Sequence, residues 1–266
     1  MLALLSIEWL KLRKYRTFWV LLGLFALLLP LWNYEIASGV LKLGGSGKDG
    51  INLLNTAYSF PEVWANLGFW GSIFILFLSI LVIIITTNEY SFRTNRQNVI
   101  DGLTRMQFFH TKVLLVVTFS LIITLYFLLL GVLFGKGYSG SFSGAFSDLK
   151  SVFYFFVMCL DYMGLALLLS FAIKRSGLAI GLFLLYSMII ENIAKGIINS
   201  YADAPYGNLL MLQCSDELLP FPLMMMTKAI ISQVDKISKE TYLAVTLGWC
   251  AVYYFAGRAI LRRNDW

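Results

Sequence analysis

Three ionisable residues stand where hydrocarbon would otherwise surround them: Asp161 within "MCLDYMGLALLL", and Glu191 with Lys195 in "LFLLYSMIIENIAKGII". A charge at mid-membrane depth costs about 2.5–3.5 kcal/mol or more, so Asp161 is expected to face other helices or to hold a proton. Three chemistries are open to it: contact with a cationic substrate, proton relay, or hydrogen-bond donation between helices. Glu191 and Lys195 lie four residues apart in the order that favours an ion pair on one helix, which predicts a stabilising pair at the membrane boundary. Because both acids are intramembrane, an ion- or proton-coupled secondary transporter using Asp161 and Glu191 is one functional class to weigh. Such a protein would carry internal repeats or broken helices near mid-membrane, and no internal repeat stands out here.

Other chemistries find little support. His110 is the only histidine, and Cys159, Cys214 and Cys250 are scattered, so neither a transition-metal set nor a disulfide framework is predicted. No serine, histidine and carboxylate group together at membrane depth. The stretch "GGSGKDG" resembles a phosphate loop at a glance. However, Asp49 follows Lys48 where Ser or Thr is required, and Lys42 stands at the first glycine position. No nucleotide-hydrolysing motif, catalytic set or bound cofactor is expected on this chain.

What must position these residues is a membrane bundle. Of the 266 residues 59% are hydrophobic and 14% charged, against about a quarter charged in soluble domains. Six apolar runs are candidate spans, a spanning helix needing about 20 residues to cross about 30 Å of hydrocarbon: roughly Thr17–Trp32, Phe69–Thr87, Val113–Phe134, Val152–Ile173, Leu178–Ile198 and Tyr242–Ile260. Continuous apolar runs read as helices rather than barrel strands. The predicted fold is therefore an all-α membrane protein, with residues 1–266 forming one transmembrane domain.

Six spans put both termini on one side. Residues 1–16, 88–112, 174–175 and the tail after Gly257 hold 13 Lys/Arg and 4 Asp/Glu, whereas the other side holds 8 and 10. Basic flanks stay in the cytoplasm, so a multi-pass cell-membrane protein with cytosolic termini is expected. Residues 2–16 place Leu2, Leu5, Trp9 and Leu12 on one stripe, with Glu8, Lys11 and Lys14 away from it. That pattern suits an interfacial helix over anionic lipid, or else simply the charged start of span one. On the outer side, residues 199–241 contain "LLPFPLMMMTKAIIS" (Leu218–Ser232), apolar but broken by Pro220 and Pro222. A re-entrant hairpin before span six is predicted. Gly177 and Gly181 form a small-xxx-small face open to a close helix neighbour.

The most structured polar segment is "NEYSFRTNRQNVIDGLTRMQFFHTK", residues 88–112. Thr94–Gln97 and Thr104–Gln107 both fit a capping box, and Asp101-Gly102 between them is a natural helix stop. A short helix, a glycine hinge and a fresh helix start are predicted. The polar residues Arg93, Arg96, Asn98, Asp101 and Arg105 surround Val99, Ile100 and Leu103. That composition fits either a protein-docking knob or a lipid-surface helix.

This segment, together with "IEWLKLRKYRTFWV" and the six-span layout, resembles permease subunits of the ABC-2 type transporter family. The likeness is sharpest over Glu89–Lys112. It implies that the loop after span two is a coupling helix received by a separate ATPase subunit, with residues 1–16 as the connecting helix beside it. By position, Glu89, Arg93, Arg96, Gln97, Asp101, Gly102 and Arg105 would form the ATPase-coupling element, with Glu89 at the hinge under span two. Asp161, Glu191 and Lys195 would be pathway or gating candidates. The resemblance further implies a second permease subunit, identical or not, and ATP with Mg on the partner ATPase. It implies export of an amphipathic drug, peptide or lipid-like cargo, contact with membrane lipid, and no nucleic-acid partner.

Overall fold

The apolar runs fold as helices that overshoot the hydrocarbon they need to cross. A computed structural model describes residues 2–38, 58–94, 97, 100, 102, 104–140, 142, 144–202, 204–220 and 237–263. Helix α1 (Leu2–Arg13) is followed by six helices long and apolar enough to span a membrane: α2 (Arg16–Ala37), α3 (Val63–Ser91), α4 (Arg105–Ser139), α5 (Lys150–Ile173), α6 (Ser176–Ala202) and α8 (Lys239–Arg263). Between the last two lie a 3-10 turn (Pro205–Leu209) and the short helix α7 (Gln213–Asp216). The predicted six spans are present, each longer than its apolar core. The "GGSGKDG" turn falls outside the described residues, as does the expected hairpin beyond Pro220.

Local chemistry explains several boundaries. Helix α4 starts at the predicted second capping box: the Gln107 N–H donates to Thr104 Oγ1 at 3.2 Å, and the Thr104 N–H donates to Gln107 Oε1 at 2.8 Å. It runs 35 residues and stops at Gly140, whose φ of +68° closes it. The α5–α6 turn is the predicted Lys174-Arg175 pair, with Lys174 left-handed at φ +57°. Helix α6 is interrupted by a π-turn at Tyr186–Ile190, all of whose residues are at least partly exposed. The extra residue in that turn shifts the helix face, and Glu191 immediately after it is 1% exposed.

Helix α5 is the hub. It packs on α3, α4, α6, α7 and α8, and 61% of its apolar window is buried, against 17% for α6 and α8. Aromatic rings and glycines fill the seams. Phe127 of α4 stacks on Phe155 of α5 with ring centroids 4.1 Å apart, while Gly71 of α3 faces the Phe155 ring and Gly131 of α4 faces Trp64. A side chain at either glycine would collide with an aromatic ring, so the close helix approach depends on their absence.

Candidate functional site

Two polar clusters interrupt this apolar packing, one at each end of the bundle. At the end that carries the termini, α1, α3 and α4 converge on four charges. Lys112 Nζ donates to Glu8 Oε2 and to Glu89 Oε1, both at 2.7 Å. Lys11 Nζ donates to Glu8 Oε1 at 3.3 Å and to Glu89 Oε1 at 3.2 Å. Lys112 is 1% exposed, and Glu8 and Glu89 are also buried. Two acids and two ammonium groups balance, which is the condition for keeping buried charges in a low dielectric. The Lys112 ammonium also lies 5.5 Å from the Phe108 ring centroid.

Burial alone would raise the Glu8 carboxyl, but the charges of Lys112 and then Lys11 outweigh it and hold the group below its ordinary 4.5. Burial likewise opposes charge on Lys11, yet Glu89 and Glu8 raise it above its ordinary 10.5. One detail of the expected α1 stripe is corrected: Glu8, expected away from the apolar face, shares the inward face with buried Leu12, while Trp9 is half exposed. Trp9 instead packs edge-on against Phe18 and Trp19 at the start of α2. The helix turns inward because Lys112 offers Glu8 a partner that the sequence places 104 positions away.

Glu89 and Lys112 bracket the predicted coupling segment. The chain leaves α3 through Phe92 and Arg93, the latter left-handed at φ +54°, and re-enters α4 after Gly102 at φ +95°. Between them Thr94, Gln97 and Ile100 are helical and exposed. The Thr94 hydroxyl donates back to the Glu89 carbonyl oxygen, and the Gln97 N–H reaches the Arg93 carbonyl oxygen, each at 3.4 Å. The left-handed Arg93 already bends the chain, so the backbone satisfies itself there. Phe92 is 75% exposed and Ile100 78%, which gives the loop an apolar surface. Arg105 lies exposed at the first residue of α4. Arg96 and Asp101, with Asn98, Val99 and Leu103, fall outside the described residues.

At the opposite end, residues 204–220 fold back among α5, α6 and α8. Leu212, Cys214, Leu218 and Leu219 are buried, and Leu219 fills the space over Gly68 of α3. Asp216 accepts from the Tyr162 hydroxyl through both carboxylate oxygens, at 2.9 and 3.0 Å. Tyr162 is the thirteenth of the 24 residues of α5, so the segment reaches the middle of that helix.

The polar groups of α6 hold this segment and do not pair with each other. Glu191 Oε1 accepts the Leu212 N–H at 2.7 Å and the Gln213 N–H at 3.4 Å. Lys195 Nζ donates to Gln213 Oε1 and Glu217 Oε1, both at 2.8 Å. The expected Glu191–Lys195 pair is replaced by Lys195–Glu217: both residues keep their four-residue spacing on one helix, but backbone N–H groups take Glu191 and Glu217 takes Lys195. Asp161 faces the bundle interior, as expected, and is fully buried. The Ser215 and Tyr253 hydroxyls face it, but neither carboxylate oxygen has a hydrogen-bond partner among the described residues. Ser215 donates instead to the Leu212 carbonyl oxygen at 2.8 Å.

Sequence reasoning had found Glu89, Asp161, Glu191 and Lys195 but not Glu8, Lys11 and Lys112 as one unit, nor Tyr162, Asp216 and Glu217. Their partners are distant in sequence and share no periodicity. His110 is a packing residue, 3.0 Å from the Tyr254 hydroxyl. A Cβ at Gly177 or Gly181 would meet nothing within 4 Å among the described residues outside its own helix backbone.

No curated protein matches the chain. A family model described as an ABC-2 family transporter protein matches residues 4–190. That range runs from α1 to the π-turn and takes in the whole four-charge cluster.

Proposed function

Because the chain belongs to the ABC-2 family of transporter proteins, we propose that it is the permease subunit of an ATP-driven exporter, coupled through residues 88–112 to a separate ATPase subunit. The observation that carries this reading is the four-charge cluster. It fastens α1 and both ends of the loop into one body, leaving Phe92 and Ile100 exposed beyond it. A force applied to the loop therefore reaches α1, α3 and α4 together. ATP with Mg would be bound and hydrolysed on the partner, and the basic end of the bundle, termini included, would lie in the cytosol where that ATP is.

A second permease subunit completes the reading. Helix α6 is little buried, and the open Gly177–Gly181 face on it suits close approach of another helix. The pathway would run between the two subunits, with an amphipathic drug, peptide or lipid-like molecule as cargo.

The test is copurification of the ATPase with the tagged chain in mild detergent. Arg96→Glu with Arg105→Glu, and separately Phe92→Ser with Ile100→Ser, are expected to abolish ATPase capture while leaving the bundle folded. Undiminished capture and unchanged cargo-stimulated ATP hydrolysis in both variants would refute the coupling role.

A further inference from the structure

The segment 204–220 is inserted into the bundle by polar contacts that leave an excess of acid. Asp161, Glu191, Asp216 and Glu217 contribute four carboxyl groups to the cluster, and Lys195 is the ammonium among them. Lys195 is already committed to Gln213 and Glu217. Asp161 is fully buried, and the Ser215 and Tyr253 hydroxyls that face it make no hydrogen bond to either carboxylate oxygen. Four ionised carboxylates around one cation at this depth would be strongly unfavourable. Cation capture is one remedy for such an excess, but no group of acids, histidines and cysteines among the described residues has metal-binding geometry.

We infer that residues 204–220 form a proton-held plug, seated while Asp216 is protonated and released as this cluster ionises. Asp216 is the group best placed to act as the trigger, because it sits on the plug itself and is tied to α5 by Tyr162. Facing it are Asp161 and Tyr162 from α5, Glu191 and Lys195 from α6, and Glu217 from its own segment; Tyr186, Cys214, Cys250 and Tyr253 belong to the same cluster through Asp161. Burial pushes the Asp216 carboxyl up to about 7 from an ordinary 3.8. The Tyr162 hydrogen bond works against that rise, and Glu191 adds to it. The seated form therefore holds a proton that the released form gives up. Its advantage is full below the ordinary value, shrinks as pH rises, and is gone above about 7.

Cys214 is a built-in reporter, because it is fully buried on the plug. The experiment places the intact chain in nanodiscs and exposes it briefly to 4,4′-dithiodipyridine, a disulfide that exchanges with thiols even in acid. Modification at Cys214 is then quantified by peptide mass spectrometry and divided by that of the denatured chain at the same pH. The corrected rate is expected to rise about tenfold per pH unit between pH 5 and pH 7, the slope for one linked proton. Asp216→Asn, which cannot ionise, is expected to change less than twofold over the same range. Tyr162→Phe removes the bond that favours the ionised form in the seated state, so its rise is expected to continue to higher pH before levelling. A flat corrected rate in the unaltered chain, or a full slope retained in Asp216→Asn, would overturn the inference. Neither cargo nor ATPase is needed, so the result is independent of the coupling experiment.

Discussion

Lys112 and Glu8 stand 104 positions apart in sequence and meet at 2.7 Å, with Lys112 almost wholly shielded from solvent. Replacing Lys112 with Met would leave the buried Glu8 and Glu89 sharing the exposed Lys11 as their counter-charge in the cluster. Removing one partner of a buried ion pair costs about 3–5 kcal/mol. A correspondingly lower thermal midpoint is expected in detergent or nanodiscs. Adding Glu89→Gln to that variant is expected to recover part of the loss, since it removes one of the two stranded charges. A double variant as unstable as the single one would show that the charges are not coupled.

The same cluster sets a pH window. Glu8 is held below its ordinary 4.5, so its contribution is present above that value and is lost as pH falls through the depressed one. Lys11 is raised above its ordinary 10.5, so its contribution is present below that value and is lost as pH rises through the raised one. The attachment of α1 is therefore expected to be strongest between these limits. Limited proteolysis of the first fifteen or so residues across the pH range would register its loosening at both extremes.

Backbone geometry at the loop gives a pair of opposite outcomes. Arg93 is left-handed at φ +54° and exposed, so Arg93→Gly is expected to be neutral or to stabilise by up to about 1 kcal/mol. Gly102 sits at φ +95° with open space around its Cα. Gly102→Ala would thus cost about 1–2 kcal/mol from backbone strain alone. If the loop docks in this shape, ATPase affinity should fall roughly tenfold in Gly102→Ala, measurable by titrating the partner onto immobilised permease.

Packing at Gly131 admits no side chain, because a Cβ there would run into the Trp64 ring. Gly131→Ala is expected to lower stability by about 1–3 kcal/mol through overpacking. Gly23, which faces open space in α2, is the control, and Gly23→Ala should leave the thermal midpoint unchanged or slightly raised.

The spans were readable because hydrocarbon imposes its own length and polarity on a sequence, and because the Thr104–Gln107 box is a purely local signal. What could not be read depended on distant partners. Glu8 lay off the apolar stripe of its own helix, and nothing nearby in sequence announces Lys112. Glu191 and Lys195 keep the spacing of a helical pair on one α-helix, but residues 212–217 offer each of them another partner, which local spacing does not announce. Asp161 was recognised as costly and inward-facing, whereas the segment bearing Asp216 carries neither helical nor strand period to betray that it folds back into the bundle.

Helix α4 joins these two ends of the molecule. It runs without a break from the capping box at Thr104 to Ser139, where the Ser139 hydroxyl accepts the Phe60 N–H at 2.9 Å. At 1.5 Å per residue it is a rod roughly 50 Å long. Such a rod is a lever with no joint: a tilt of about 5° about one end displaces the other by roughly 4 Å, by simple trigonometry on that length. Stroke at the loop and opening at the opposite face are then two readings of one rotation, and their ratio is set by where along α4 the aromatic packing places the fulcrum.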